Sequence, residues 1–76
     1  MPHIIVKLGS GRDESKKAEL AQAISDTVVA VLACETKVVS IAIDDVDPAD
    51  WPEKVFVPHI AGNLARLYKK PGYGTL

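Results

Sequence analysis

The sequence has a single cysteine, Cys34, and two histidines, His3 and His59, among its 76 residues. One cysteine excludes an intrachain disulfide, and two histidines so far apart in sequence give no metal-ligand spacing. Basic and acidic residues nearly balance, nine against ten, for a formal net charge of −1. Because the chain lacks the basic footprint of a nucleic-acid-binding protein, we expect no nucleic-acid partner. Because its cysteine and histidines give no metal-ligand spacing, we also expect no metal.

Long apolar runs are missing as well. No stretch approaches the roughly 20 residues that a membrane-spanning helix needs, and the start of the chain lacks the basic and apolar regions of a signal peptide. We therefore expect a cytoplasmic protein with no membrane partner. The length predicts one domain over residues 1–76, with 71–76 as a C-terminal tail. Because so small a domain buries only about 60% of its unfolded surface, we expect a homo-oligomer.

The distribution of apolar residues predicts a βαβ unit. Residues 2–8 carry consecutive β-branched side chains and predict a first strand. Turn residues follow, and apolar residues at helical spacing then predict a helix over about 14–33. A second β-branched run predicts a strand over 37–43. The crossover between the strands should be right-handed, which makes them parallel.

The last third of the sequence predicts helices that are interrupted by proline. Residues 50–53, Asp-Trp-Pro-Glu, resemble a helix start. Pro58 breaks the pattern, so we expect a short helix over 51–56 and a longer one over 58–69. The fold class is then α/β (α+β), with two parallel strands, one long helix and a C-terminal helix. Two strands do not make a stable sheet, so a second copy of the chain should complete it.

Pro2 is the residue with the greatest chemical potential in the sequence. Removal of Met1 would turn its nitrogen from an amide into a free secondary amine. An α-amino group has a pKa of about 7.7–8.0, close to the pH at which a general base works best. The alternative is that Pro2 only stiffens the entry to the first strand, and a bare Met-Pro start favours that alternative.

The order of these features resembles the 4-oxalocrotonate tautomerase (2-hydroxymuconate tautomerase) family. The resemblance rests on Met1-Pro2-His3-Ile4, on Gly11-Arg12 before an acidic helix start, and on Trp51 after the second strand. The ending Lys69-Lys70-Pro71-Gly72-Tyr73 is similar to that of a bacterial subgroup of small homodimeric tautomerases. The resemblance implies a βαβ tautomerase fold whose sheet is completed by dimerisation, with a hexamer as the other possible assembly.

The resemblance also implies an activity. It predicts a cofactor-independent keto–enol tautomerase, an isomerase acting on enols of 2-keto acids such as phenylenolpyruvate or 2-hydroxymuconate. Pro2, after Met1 removal, would be the general acid and base that moves a proton between oxygen and carbon. Two alternatives stay open: a related Pro-based hydratase, dehalogenase or decarboxylase, and a non-catalytic homo-oligomeric binding module.

Two further residues match positions that bind substrate in the family. Arg12 matches an arginine that holds a substrate carboxylate, a task suited to the planar guanidinium fork. Trp51 matches an aromatic residue that gives the pocket an apolar wall. Without the resemblance, Arg12 is interpreted as a loop arginine paired to Asp13 or Glu14, and Trp51 as a core residue at a helix start.

Ser40 departs from the family pattern. It aligns with a second arginine, which in hexameric members binds the reacting end of a dicarboxylate. A serine hydroxyl donates one neutral hydrogen bond and cannot neutralise a carboxylate. We therefore predict that Ser40 contacts substrate, and that a substrate with one carboxylate and an apolar or aromatic remainder is preferred to 2-hydroxymuconate.

Overall fold

The computed structural model of the chain describes all residues from Met1 to Leu76. They form two compact units, Met1–Asp45 and Val46–Leu76. None of the helices has the length and apolar character needed to cross a membrane.

The βαβ unit is present in the predicted order. Strand β1 spans His3–Gly9, helix α1 spans Glu14–Leu32 and strand β2 spans Ser40–Val46. The two strands are neighbours in one parallel sheet, which confirms the predicted fold class. β2 begins at Ser40 rather than at residue 37, because a 3-10 turn over Thr36–Val38 precedes it.

The register of the sheet is visible in its side chains. The backbone N–H of Ser40 donates to the carbonyl oxygen of Pro2, with an N···O distance of 3.2 Å. His3 contacts Ser40, and Lys7 contacts Asp44, at the same sequence separation of 37 residues. A constant separation is what parallel pairing produces, and residues two apart in a strand share a face. These four side chains therefore lie on one face of the sheet.

Helix α1 lies against the opposite face. Lys17 Nζ lies 2.7 Å from Asp45 Oδ2 and 2.8 Å from Glu14 Oε1. Asp45 follows Asp44 directly in β2, so its side chain points to the other side of the sheet. Hydrogen bonds to Asp45 and then to Glu14 raise the pKa of Lys17 above its ordinary value. The ion pairs are therefore fully formed at neutral pH and are lost only in strongly alkaline solution, as the pH passes the raised pKa.

The start of α1 is capped by Asp13, whose carboxylate accepts the Lys16 backbone N–H at 2.8 Å. We expect Asp13→Ala to lower the free energy of unfolding by about 1 kcal/mol, as for other lost N-caps. Urea denaturation at a fixed protein concentration measures this. Asp13→Asn keeps the acceptor and should retain most of the stability; an equal loss in both variants would show that the charge, not the hydrogen bond, is responsible.

Residues 48–66 of the second unit are helical, but little of this stretch is α-helix. A 3-10 turn over Pro48–Asp50 leads into a wide π-type helix over Pro52–Ile60, and a 3-10 helix over Ala61–Arg66 follows. The first turn is capped by Asp47, whose carboxylate accepts the Ala49 N–H at 2.9 Å.

The predicted break at Pro58 is wrong, since Pro58 lies inside the helix Pro52–Ile60. In an α-helix the proline ring collides with the carbonyl four residues earlier. Here the Ala61 N–H donates to the carbonyl oxygens of Phe56 and Val57, five and four residues back, and the wider π-type turn gives the ring room. The longer helix predicted to run to residue 69 ends at Arg66 instead.

The chain buries few of its apolar side chains. Among them only Val46 and Val55 are buried, at 9% and 5% exposure. On the sheet Ile5 is 56% exposed, and at the end of α1 Val31 and Leu32 are 74% and 60% exposed. The open sheet, with these side chains uncovered, fits oligomer formation.

Candidate functional site

Pro2 lies immediately before β1 and is half-buried. Its carbonyl oxygen accepts the Ser40 N–H, and this hydrogen bond joins Pro2 to the start of β2. A proline just before a strand interrupts no hydrogen bond of the ladder, because the N–H groups of the strand begin at the next residue. Met1 is 98% exposed, so the residue whose removal would free the Pro2 amine is open to solvent.

Ser40 and His3 form a side-chain pair beside Pro2. Ser40 Oγ and His3 Nδ1 are hydrogen-bonded at 2.6 Å. The sheet thus brings together Pro2 and Ser40, which had been predicted from separate parts of the sequence. The contact between His3 and Ser40 was missed, because only the register of the parallel strands reveals it.

Arg12 lies in the loop between β1 and α1, with its side chain exposed. Its Nη1 donates to the Gly9 carbonyl oxygen at 2.9 Å. The loop needs glycine at position 11, where φ is +123°, a conformation that other residues rarely adopt. A guanidinium has five N–H donors, so most of them remain free for a ligand.

The alternative pairing of Arg12 with Asp13 or Glu14 is not formed. Asp13 caps α1, and Glu14 contacts Lys17. The four lysines of Met1–Asp45 each have a carboxylate partner. Arg12 is therefore the one lysine or arginine in this unit without one.

A surface groove of about 610 Å³ lies next to Arg12 on α1. Besides Arg12, it is lined by Lys16, Glu19, Leu20 and Ala23. Leu20 and Ala23 give it an apolar floor beside the guanidinium. An anion with an apolar portion is the kind of ligand that such a combination can bind.

Trp51 lies in the second unit, where the Pro48–Asp50 turn meets the π-type helix. Its Nε1 donates to the hydroxyl oxygen of Tyr73 at 3.1 Å. The Tyr73 ring in turn lies 5.7 Å from the Phe56 ring, centroid to centroid, at an interplanar angle of 40°. We call the space beside these rings the aromatic groove; it measures about 330 Å³ and is lined by Pro48, Trp51, Pro52, Phe56, Tyr73 and Gly74.

A family model described as tautomerase enzyme matches residues 2–53 of the chain, a range that includes Pro2, Arg12, Ser40 and Trp51. The chain belongs to the tautomerase family. The predicted resemblance to 4-oxalocrotonate tautomerase is thereby confirmed.

Known proteins are similar to this tautomerase over most of its length. A probable tautomerase of Xylella fastidiosa (strain 9a5c) is 45% identical over 76 residues, which cover 100% of this chain and 93% of that protein. Tautomerase PptA of Escherichia coli O139:H28 (strain E24377A / ETEC) is 36% identical over 74 residues, covering 96% and 97%. The crystal structure of TomN, a 4-oxalocrotonate tautomerase homologue in the tomaymycin biosynthetic pathway, superposes with a TM-score of 0.64 at 26% identity, covering 66% of this chain and 77% of TomN.

Family membership settles the class of protein. A tautomerase is an isomerase, so the protein is an enzyme, as predicted, and not a non-catalytic binding module. The family also suggests a small-molecule substrate and an oligomeric assembly.

Proposed function

We propose that this tautomerase converts the enol of a 2-keto acid to its keto form, and that its preferred substrates carry one carboxylate and an aromatic or apolar remainder. The observation that carries the proposal is the charge of the site. Arg12 is the one lysine or arginine of Met1–Asp45 without a carboxylate partner, whereas Ser40 is neutral and hydrogen-bonded to His3. One free guanidinium suits one carboxylate.

Pro2 is the proposed acid–base group. Once Met1 is removed, its neutral amine accepts the proton of the enol hydroxyl as the C–O bond becomes a carbonyl. The same nitrogen then delivers a proton to the carbon that held the other end of the enol double bond. Tautomerisation moves a proton without net oxidation, so this scheme needs no cofactor.

Arg12 and Trp51 have separate proposed roles. Arg12 binds the substrate carboxylate through the N–H groups that the Gly9 carbonyl leaves free. Trp51 contacts the apolar remainder of the substrate along the aromatic groove. We further propose that residues 1–76 act as one tautomerase domain in a homodimer, whose second copy pairs with a free edge of the two-stranded sheet.

A comparison of two substrates tests the proposal. Spectrophotometric ketonisation assays on protein shown by intact mass to lack Met1 should give a higher kcat/KM for phenylenolpyruvate than for 2-hydroxymuconate. The reason is the second carboxylate of 2-hydroxymuconate, which finds no cation at Ser40. An equal or higher kcat/KM for 2-hydroxymuconate contradicts the proposed substrate class.

Ser40→Arg should restore the use of a dicarboxylate. A charge-assisted hydrogen bond contributes about 1.5–3 kcal/mol, so kcat/KM for 2-hydroxymuconate should rise about 10- to 100-fold relative to that for phenylenolpyruvate. Ser40→Gln, which is also long and polar but neutral, is the matched control and should leave the ratio near that of the unaltered protein. A ratio that stays the same in Ser40→Arg shows that this position does not contact the second carboxylate.

A further inference from the structure

We propose that Tyr73 and Gly74, in the C-terminal tail, are positioning residues that give the aromatic groove its preference for substrates with an aromatic ring. The inference rests on the proposed function, in which Trp51 contacts the apolar part of the substrate. It goes further by assigning the orientation of Trp51 to a tail that lies 22 residues away in sequence. Three contacts within Val46–Leu76 carry it.

The first contact fixes the indole of Trp51. The indole N–H can only donate, and here it donates to the Tyr73 hydroxyl oxygen. This hydrogen bond leaves the indole no free polar group and sets the rotation of its ring. Trp51 therefore presents only apolar surface to the groove, which an aromatic ring can contact without leaving a polar group unsatisfied.

The second contact joins Tyr73 to Phe56. Their rings are tilted at 40° with centroids 5.7 Å apart, inside the range that aromatic pairs favour. Tyr73 thus touches two aromatic side chains of the groove at once, Trp51 through its hydroxyl and Phe56 through its ring. Loss of the hydroxyl would release Trp51 while leaving the contact with Phe56 in place.

The third contact is the close approach of Gly74, the residue after Tyr73, to Phe56. Gly74 has φ of +80°, and a Cβ at this position would lie within 2.6 Å of Phe56 Cε2. A larger residue would therefore have both an unfavourable backbone and a steric clash. Gly72, two residues earlier, has no atom within 4 Å of the corresponding Cβ position. Only Gly74 is required for the tail to pass against Phe56.

Trp51 is the sole tryptophan of the chain, so its fluorescence reports on the aromatic groove without any turnover. Tyr73→Phe and Gly74→Ala should both shift the emission maximum. Tyr68→Phe is a matched control, because Tyr68 is fully exposed, and Gly72→Ala is the control for the glycine. Both controls should leave the emission unchanged.

Ligand binding completes the experiment, with 3-phenylpropanoate as a non-reacting aromatic acid and propanoate as its aliphatic counterpart. Loss of one neutral hydrogen bond corresponds to about a 2- to 10-fold change. In Tyr73→Phe we expect the Kd of 3-phenylpropanoate, followed by Trp51 quenching or calorimetry, to rise by that factor while the calorimetric Kd of propanoate stays constant. KM for phenylenolpyruvate should rise in parallel, with kcat changed less than about twofold, since Pro2 is untouched.

Two results would overturn the inference. An unshifted emission in Tyr73→Phe means that the hydroxyl does not hold Trp51. A shifted emission with an unchanged Kd for 3-phenylpropanoate means that the contact is structural and does not set specificity. Failure of the proposed function would be seen in a different measurement, because the unaltered protein would then not ketonise phenylenolpyruvate. Neither the fluorescence nor the ligand-affinity experiment measures that activity.

Discussion

Pro2→Ala is expected to lower kcat for phenylenolpyruvate ketonisation by about 10²-fold or more, within the range of about 10²–10⁴ that a positioned acid–base group contributes. After Met1 removal the variant still has an α-amino group of similar basicity. The proline nitrogen, however, belongs to a ring, so its lone pair has a fixed direction, whereas the amine of alanine rotates freely. The measurement is an initial-rate assay on protein whose amino terminus is established by intact mass.

A protein that keeps an amino-terminal tag is the sharper control. The tag leaves the Pro2 side chain in place and makes its nitrogen a tertiary amide, which is neither basic nor a proton donor. Activity should then fall below that of Pro2→Ala. The hydrogen bond from the Ser40 N–H to the carbonyl of residue 2 joins two backbone groups, which all three proteins retain, so their thermal stabilities should be similar. Full activity in Pro2→Ala, or in the tagged protein, would falsify the proposed role.

Helix α1 and its cap were predictable because the interactions that create them are local. Asp13 accepts an N–H three residues away, and the spacing of apolar residues sets the helix itself. The start of β2 was not predictable in the same way. The turn before it is formed by backbone hydrogen bonds, from the Val38 N–H to the Glu35 carbonyl and from the Val39 N–H to the Thr36 carbonyl. The β-branched side chains of this segment do not indicate such a turn.

The second unit shows where a local rule fails. The expectation that Pro58 ends a helix assumes α-helical geometry, whereas the chain adopts a wider turn around this residue. A pattern of apolar residues does not distinguish an α-helix from a short π-type helix. The Pro58 carbonyl also accepts the Asn63 side-chain amide at 3.0 Å, a contact that periodicity alone does not reveal.

The candidate site shows the same difference between residues that a sequence pattern indicates and contacts that only the folded chain forms. Pro2, Arg12, Ser40 and Trp51 could be singled out as candidate site residues from the sequence, because a family pattern is a pattern of residue types and spacings. Their neighbours could not. His3 meets Ser40 across 37 residues, and Tyr73 meets Trp51 across 22, so both contacts depend on tertiary structure. Tyr73 in particular was predicted only as part of the C-terminal tail and of the ending that resembles the family's, with no contact assigned to it.

Arg12→Ala is expected to raise KM for phenylenolpyruvate about 10- to 100-fold, which corresponds to the loss of a charge-assisted contact of about 1.5–3 kcal/mol. The substrate carboxylate is present both before and during proton transfer. The proposed contact with Arg12 would therefore act equally on the ground state and the transition state, and kcat should change little. Steady-state kinetics over a wide substrate range separates the two parameters.

The chain offers a matched control in its other arginine, Arg66, which is exposed and has no carboxylate partner in the structure. Arg66→Ala removes the same charge and should leave KM unchanged; an equal rise would mean that net charge, not a contact, attracts the substrate. Arg12→Lys keeps the charge without the guanidinium fork and should be intermediate. Arg12 donates to Gly9 within its own loop and forms no ion pair, so its removal should barely affect folding. A change in KM is then a change in substrate binding, and an unchanged KM would assign Arg12 to the loop alone.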